Sequence, residues 1–126
     1  MAATLIRKDQ APRFELPGTQ VTGYASPSRG SQSISAWRLE LAPGAVSPVH
    51  SLETDEVFIA LRGAAEFHLD GRVLRVAAGD GLTVCAGTSF KIAVVSEGAF
   101  EAAACVPAGC RARIGDGEPF APPWAT

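Results

Sequence analysis

The residues best suited to chemistry in this chain lie close together. In GAVSPVHSLETDEVFIALRG, residues 44–63, His50 is followed by Glu53, Asp55 and Glu56 before an apolar run. A histidine facing a carboxylate supports two kinds of chemistry. The two can hold a divalent cation, or the carboxylate can fix the imidazole tautomer so that the ring exchanges protons near neutral pH. Catalytic zinc generally takes three protein ligands, and non-haem iron takes two histidines with a carboxylate. His50 and Glu56 alone fall short of both, so any metal on them, iron, manganese, zinc or nickel, is expected to be held weakly. Glu53 and Asp55 read as loop acids facing solvent. The second of the two histidines, His68, is out of phase with the apolar positions of its segment and reads as exposed.

The elements that must carry this pair are legible from periodicity. SISAWRLELAPG alternates, with Trp37, Leu39 and Leu41 on one face and Arg38 and Glu40 on the other, and stops at Pro43-Gly44. EVFIALRG is a nearly continuous apolar run, expected as a strand covered on both faces. In AAEFHLDGRVLRVAAGD the positions Ala65, Phe67 and Leu69 alternate with Glu66, His68 and Asp70, and Asp70-Gly71 marks a tight hairpin turn. GLTVCAG, SFKIAVVSEG and AFEAAACVPAG add three strand-length segments between glycine-containing turns, the last too short for a convincing helix despite its alanines. The pattern is all-β. At 126 residues it makes one domain, divided into an N-terminal arm with the first strands (1–33), a barrel core (34–106) and a proline-rich tail (107–126) that packs on the barrel or on a partner.

Composition narrows the function classes. The net charge is −2, with both signs scattered and no basic cluster, which leaves nucleic acid and anionic membranes without an electrostatic footprint. Charged residues interrupt the N-terminus at Arg7, Lys8 and Asp9. No signal peptide or membrane span is therefore expected, and a cytoplasmic protein is. The three cysteines, Cys85, Cys105 and Cys110, form no C-x-x-C motif and read as reduced thiols that pack as small hydrophobes.

With its spacing set out, the chain resembles the cupin superfamily. The first cupin motif, G-x5-H-x-H-x3-E-x6-G, falls on Gly44, His50, Leu52, Glu56 and Gly63, so four of its five anchors match. The second, G-x5-P-x-G-x2-H-x3-N, falls on Gly79, Cys85, Gly87, Phe90 and Val94, so only the glycines match. The 15 residues between the motifs are the short spacing of compact bacterial cupins. The resemblance implies a jelly-roll β-barrel whose inward-pointing ligands, three histidines and a glutamate, hold a divalent metal. Leu52 and Phe90 occupy two of those four positions and have no lone pair to offer.

Two functions follow as expectations. The first is a small-molecule-binding cupin in which His50 and Glu56 orient a mostly apolar metabolite, in a pocket lined by Trp37, Leu52, Phe58, Cys85 and Phe90. Trp37 and Phe58 also suit plain core. The second is a cupin enzyme, an isomerase, cyclase or oxygenase, using His50 and Glu56 as an acid/base pair or as ligands of a weakly held metal. Metal-free sugar-nucleotide epimerases of the superfamily add a tyrosine acid and clustered basic residues. This chain has only Tyr24 and no such cluster, so sugar-nucleotide chemistry is not supported. The flat apolar strand in EVFIALRG and the proline-rich tails suit pairing of two copies, and a homodimer is expected.

Overall fold

The computed structural model describes residues 2–126. Among these residues eleven strands follow one another: β1 (Arg13–Leu16), β2 (Thr19–Ala25), β3 (Ile34–Leu41), β4 (His50–Leu52), β5 (Glu56–Arg62), β6 (Ala64–Leu69), β7 (Arg72–Ala77), β8 (Gly81–Val84), β9 (Phe90–Val94), β10 (Phe100–Pro107) and β11 (Ala112–Ile114). They form a six-stranded sheet in the order β1-β2-β3-β10-β5-β8 and a five-stranded sheet in the order β11-β4-β9-β6-β7. Every pairing is antiparallel, and the two sheets enclose the core of a jelly-roll barrel. Among the described residues no helix is long and apolar enough to cross a membrane.

The alternation expected in β3 holds: Ser35, Trp37, Leu39 and Leu41 are buried, whereas Arg38 is exposed. β6 and β7 form the expected hairpin, with Asp70 at φ 52° and Gly71 at φ 69°. Left-handed backbone at both central positions is the type I′ geometry that matches strand twist. The motif glycines Gly44, Gly63, Gly79 and Gly87 all adopt positive φ. Gly63 is the most constrained of these, since a Cβ there would lie 2.2 Å from the carbonyl oxygen of Ala99. Only glycine fits that turn.

β5 corrects one expectation. Its hydrocarbon is not covered on both faces: Phe58 and Ala60 are buried, while Ile59 and Leu61 are 51% and 49% exposed. β5 lies between β10 and β8 in a sheet with only one inner face, so residues of period two must alternate between core and outside. Neighbouring Glu101 is also on the outward side of its strand, yet it is buried, held by Arg38 and by Arg62 Nε at 2.9 Å. The tails complete the barrel. β1 and β2 extend the six-stranded sheet, and Trp124 packs on Phe14 and Trp37 with ring centroids 6.2 and 6.4 Å apart. Ser35 Oγ donates to the Ala125 carbonyl at 2.7 Å, and Arg29 donates to that of Trp124.

Candidate functional site

Strand phase puts the two candidate side chains inside. Glu56 shares the inward face of β5 with Phe58 and Ala60, and on β4 the side chains of His50 and Leu52 share a face. His50 Nδ1 lies 2.8 Å from the carbonyl oxygen of Pro48. A carbonyl only accepts, so Nδ1 carries the proton and donates, which leaves the lone pair on Nε2. His50 pairs in register with Phe90 of β9, and their ring centroids are 4.2 Å apart. Burial, partly offset by the Pro48 hydrogen bond, holds the imidazole pKa below its ordinary 6.5. The ring is therefore neutral at pH 7.

Glu56 is 4% exposed, and its Oε1 has no hydrogen-bond partner. Burial raises its pKa from 4.5 to about 8, because the interior disfavours the carboxylate. No ion pair within 4.0 Å joins Glu56 to His50 among the described residues. The site thus presents a neutral carboxyl and a neutral imidazole as separate groups rather than as a salt bridge.

Both open onto one cavity of about 340 Å³. Its walls are hydrocarbon and aromatic: Trp37, Leu39 and Leu41 from β3, Phe58 from β5, Ile92 from β9, and Phe120 and Trp124 from the C-terminal tail. Among the described residues His50 and Glu56 are the titratable side chains of the lining, and no lysine or arginine belongs to it. Two hydroxyl residues, Thr19 and Ser47, also line it, and that of Ser47 is occupied, accepting from the Ile92 amide at 2.8 Å and donating to the Pro48 carbonyl at 3.1 Å.

Of the residues expected in the pocket, Trp37, Leu52 and Phe58 line it together with His50 and Glu56. Phe90 does not. It is 1% exposed and packs edge-on to Phe58 and parallel to Phe67, beneath the His50 ring, so it braces the histidine from the core side. Cys85 is also outside the lining. It follows β8 in an exposed turn, where its carbonyl accepts from the Thr88 amide. Cys105 is half-buried, and buried Cys110 takes a hydrogen bond from Thr54 Oγ1 at 3.0 Å. His68 is half-exposed on the outward face of β6, with Nε2 3.3 Å from Glu66 Oε1. Sequence reasoning missed the walls made by Leu16, Val46, Ile114, Phe120 and Trp124. Two aromatic residues set among the prolines of the tail were the available signal.

The family profile described as Cupin domain matches residues 37–106, more than half of the chain. The chain belongs to the cupin family. Solved cupin-fold structures agree. The polyketide cyclase RemF from Streptomyces resistomycificus superposes with a TM-score of 0.78 at 14% identity, covering 89% of this chain and 84% of that one. An RmlC-like cupin from Shewanella frigidimarina gives 0.71 at 14%, covering 84% and 91%. KdgF from Halomonas sp. gives 0.69 at 20%, covering 85% and 94%. At these identities the likeness is one of fold. Among curated proteins no sequence match was found. A cupin barrel implies a metal held by four inward ligands, and the side chains here do not fit one. Leu52 and Phe90 supply hydrocarbon at two of those positions, and among the described residues no group of three or more His, Cys, Asp or Glu side chains lies close enough to share an ion.

Proposed function

We propose that this cupin binds a small, largely apolar molecule in the cavity between its sheets, with Glu56 donating a hydrogen bond to the ligand and His50 Nε2 accepting one, and that this needs no complete metal site. The observation that carries the reading is the unpartnered, buried Oε1 of Glu56 at a hydrocarbon-lined cavity of about 340 Å³. A buried polar atom without a partner costs roughly 1–3 kcal/mol, and a ligand oxygen in that place removes the cost. Trp37 and Trp124 both line the cavity, so occupancy is readable as a change in tryptophan fluorescence. Simple phenols and aromatic ketones are expected to bind, and His50→Ala and Glu56→Leu to weaken them at least tenfold. Absence of binding, or binding indifferent to both substitutions, overturns the reading. So does near-stoichiometric iron, manganese, zinc or nickel that disappears in His50→Ala.

A second reading, acid/base catalysis, is favoured by one further observation. Burial drives the two groups apart, holding the imidazole as a neutral base and the carboxyl as a neutral acid at the same cavity, the arrangement that separates acid from base roles in proton-transfer enzymes. The cyclase among the structural relatives makes isomerisation or cyclisation of a carbonyl compound the reaction class to assay. Activity unchanged in both His50→Ala and Glu56→Ala excludes it.

A further inference from the structure

Exposure of the lining residues orders the cavity from inside to outside. At the closed end stand Phe58, 1% exposed, and Glu56, 4% exposed. At the mouth stand Leu16, Val46, Ile114 and Phe120, exposed by 46%, 59%, 52% and 37%. These four come from four separate stretches of chain and all line the same opening. Single exposed apolar residues are ordinary, but several converging on one opening mark a surface that works by being covered. Here the unpartnered carboxyl of Glu56 is at the closed end, half-buried His50, Ser47 and Thr19 stand between, and the most exposed part of the lining is hydrocarbon.

Building on the ligand-binding reading above, we propose that the ligand enters oxygen end first and is longer than the cavity, so that its hydrocarbon crosses the mouth and rests on Leu16, Val46, Ile114 and Phe120. The oxygen belongs to an uncharged group, a phenol, alcohol or ketone. With no lysine or arginine in the lining, a ligand carboxylate or phosphate would be stripped of water with no cation to face it, beside the acid Glu56, and burial of an unpaired charge is strongly unfavourable. Polyhydroxylated ligands are disfavoured too, since the polar side chains of the lining, Thr19, Ser47, His50 and Glu56, are few beside its hydrocarbon.

The test uses the full chain at pH 7 and two probe series read by calorimetry: 4-alkylphenols from ethyl to octyl, and 4-alkylbenzoic acids of the same lengths. Burial of a methylene is worth about fourfold in affinity when complete and about twofold when half-complete. The phenols are expected to tighten by about two- to fourfold per methylene and to keep tightening through the longest members, with each benzoate at least a hundredfold weaker. The double variant Val46→Ser, Ile114→Ser is expected to lose at least tenfold on octylphenol while ethylphenol stays within twofold, which also shows that the variant is folded. A plateau after the shortest phenols, benzoates binding as well as phenols, or an equal loss at all lengths overturns the oxygen-first, overhanging ligand and leaves the cavity reading standing. No binding by any member overturns both.

Discussion

The space between the two sheets is filled at one end and open at the other, although aromatic side chains build both. At the filled end Phe67 lies 5.1 Å from Phe58, 6.1 Å from Phe90 and 6.3 Å from Phe100, edge-on to the first and last and parallel to the middle one. All four rings are 0–1% exposed. At the open end Trp37, Phe120 and Trp124 line a cavity, with Trp124 packed on Trp37. The difference lies in where the residues come from. The phenylalanines sit on β5, β6, β9 and β10, whose register is set by long ladders, whereas Phe120 and Trp124 belong to a tail anchored by a few hydrogen bonds. The packed end is fixed by those ladders and the open end is the one the proposed ligand would occupy, with Phe58 shared between them, packed among the rings and lining the cavity with Glu56 and His50.

Mutation should expose that division most strongly at Phe67. Phe67→Ala leaves a void among three rings in ladder-fixed strands and is expected to destabilise by about 3–5 kcal/mol, seen as a lowered urea midpoint, with phenol affinity in the folded protein within threefold of the parent. Phe120→Ala, at the mouth, is expected to cost under about 1 kcal/mol and to weaken binding instead. Equal stability losses at the two positions would erase the distinction between the ends.

Of similar size is a pH effect at the boundary between them. Unfolded Glu56 ionises from about pH 4.5 upward, whereas in the fold it keeps its proton to about pH 8. Between those values the unfolded state binds fewer protons, so stability falls as pH rises through the window, by about 5 kcal/mol in all. His50 acts in the opposite sense. Its folded pKa lies below 6.5, so its contribution is present above that value and is lost as pH falls through the folded pKa. Urea midpoints from pH 5 to 9 should show the falling limb in the parent and not in Glu56→Gln. A limb that survives the substitution assigns it to another group.

The two ends were unequally legible in the sequence. The barrel was readable because period-two alternation at Trp37, Leu39 and Leu41, the Asp70-Gly71 turn and the motif glycines are local signals that the fold repeats in every strand pair. The same phase argument puts His50, Leu52 and Glu56 on inward faces, and all three line the cavity. Phe90 was misread, since spacing says that it points inward but not that its ring turns away from the cavity to stack on Phe67. Cys85 was misread because a turn carries no phase at all. The tail walls were unreadable for a different reason. Trp124 meets Phe14 and Trp37 across most of the chain, and irregular proline-rich backbone has no period to announce such a contact.

Glu56→Leu tests whether the boundary sacrifices stability for binding. The substitution exchanges a carboxyl without a partner for hydrocarbon of similar size in apolar surroundings, and is expected to stabilise the protein by about 1–3 kcal/mol at pH 7 while abolishing phenol binding. A loss of stability would mean that Glu56 is hydrogen-bonded in solution and is part of the packed end after all.

The smallest effect on folding is expected one residue away from the core, where β5 turns its other face outward. Ile59 is 51% exposed beside half-buried Val57, and across the strand ladder it pairs with half-buried Ala103, a small flat apolar surface of the kind a second copy would cover. Ile59→Lys adds a charge at a position already in contact with water, so the stability of the single chain should change by no more than about 0.5 kcal/mol. The homodimer proposed from this strand should respond much more, because a lysine meeting its own symmetry mate across a two-fold contact would be buried against a like charge. Light scattering at micromolar concentration should therefore give a dimer for the parent and a monomer for Ile59→Lys. A monomeric parent, or a dimer indifferent to the lysine, removes the outer face of β5 from assembly and leaves only its inner face, at Glu56 and Phe58, with a functional role.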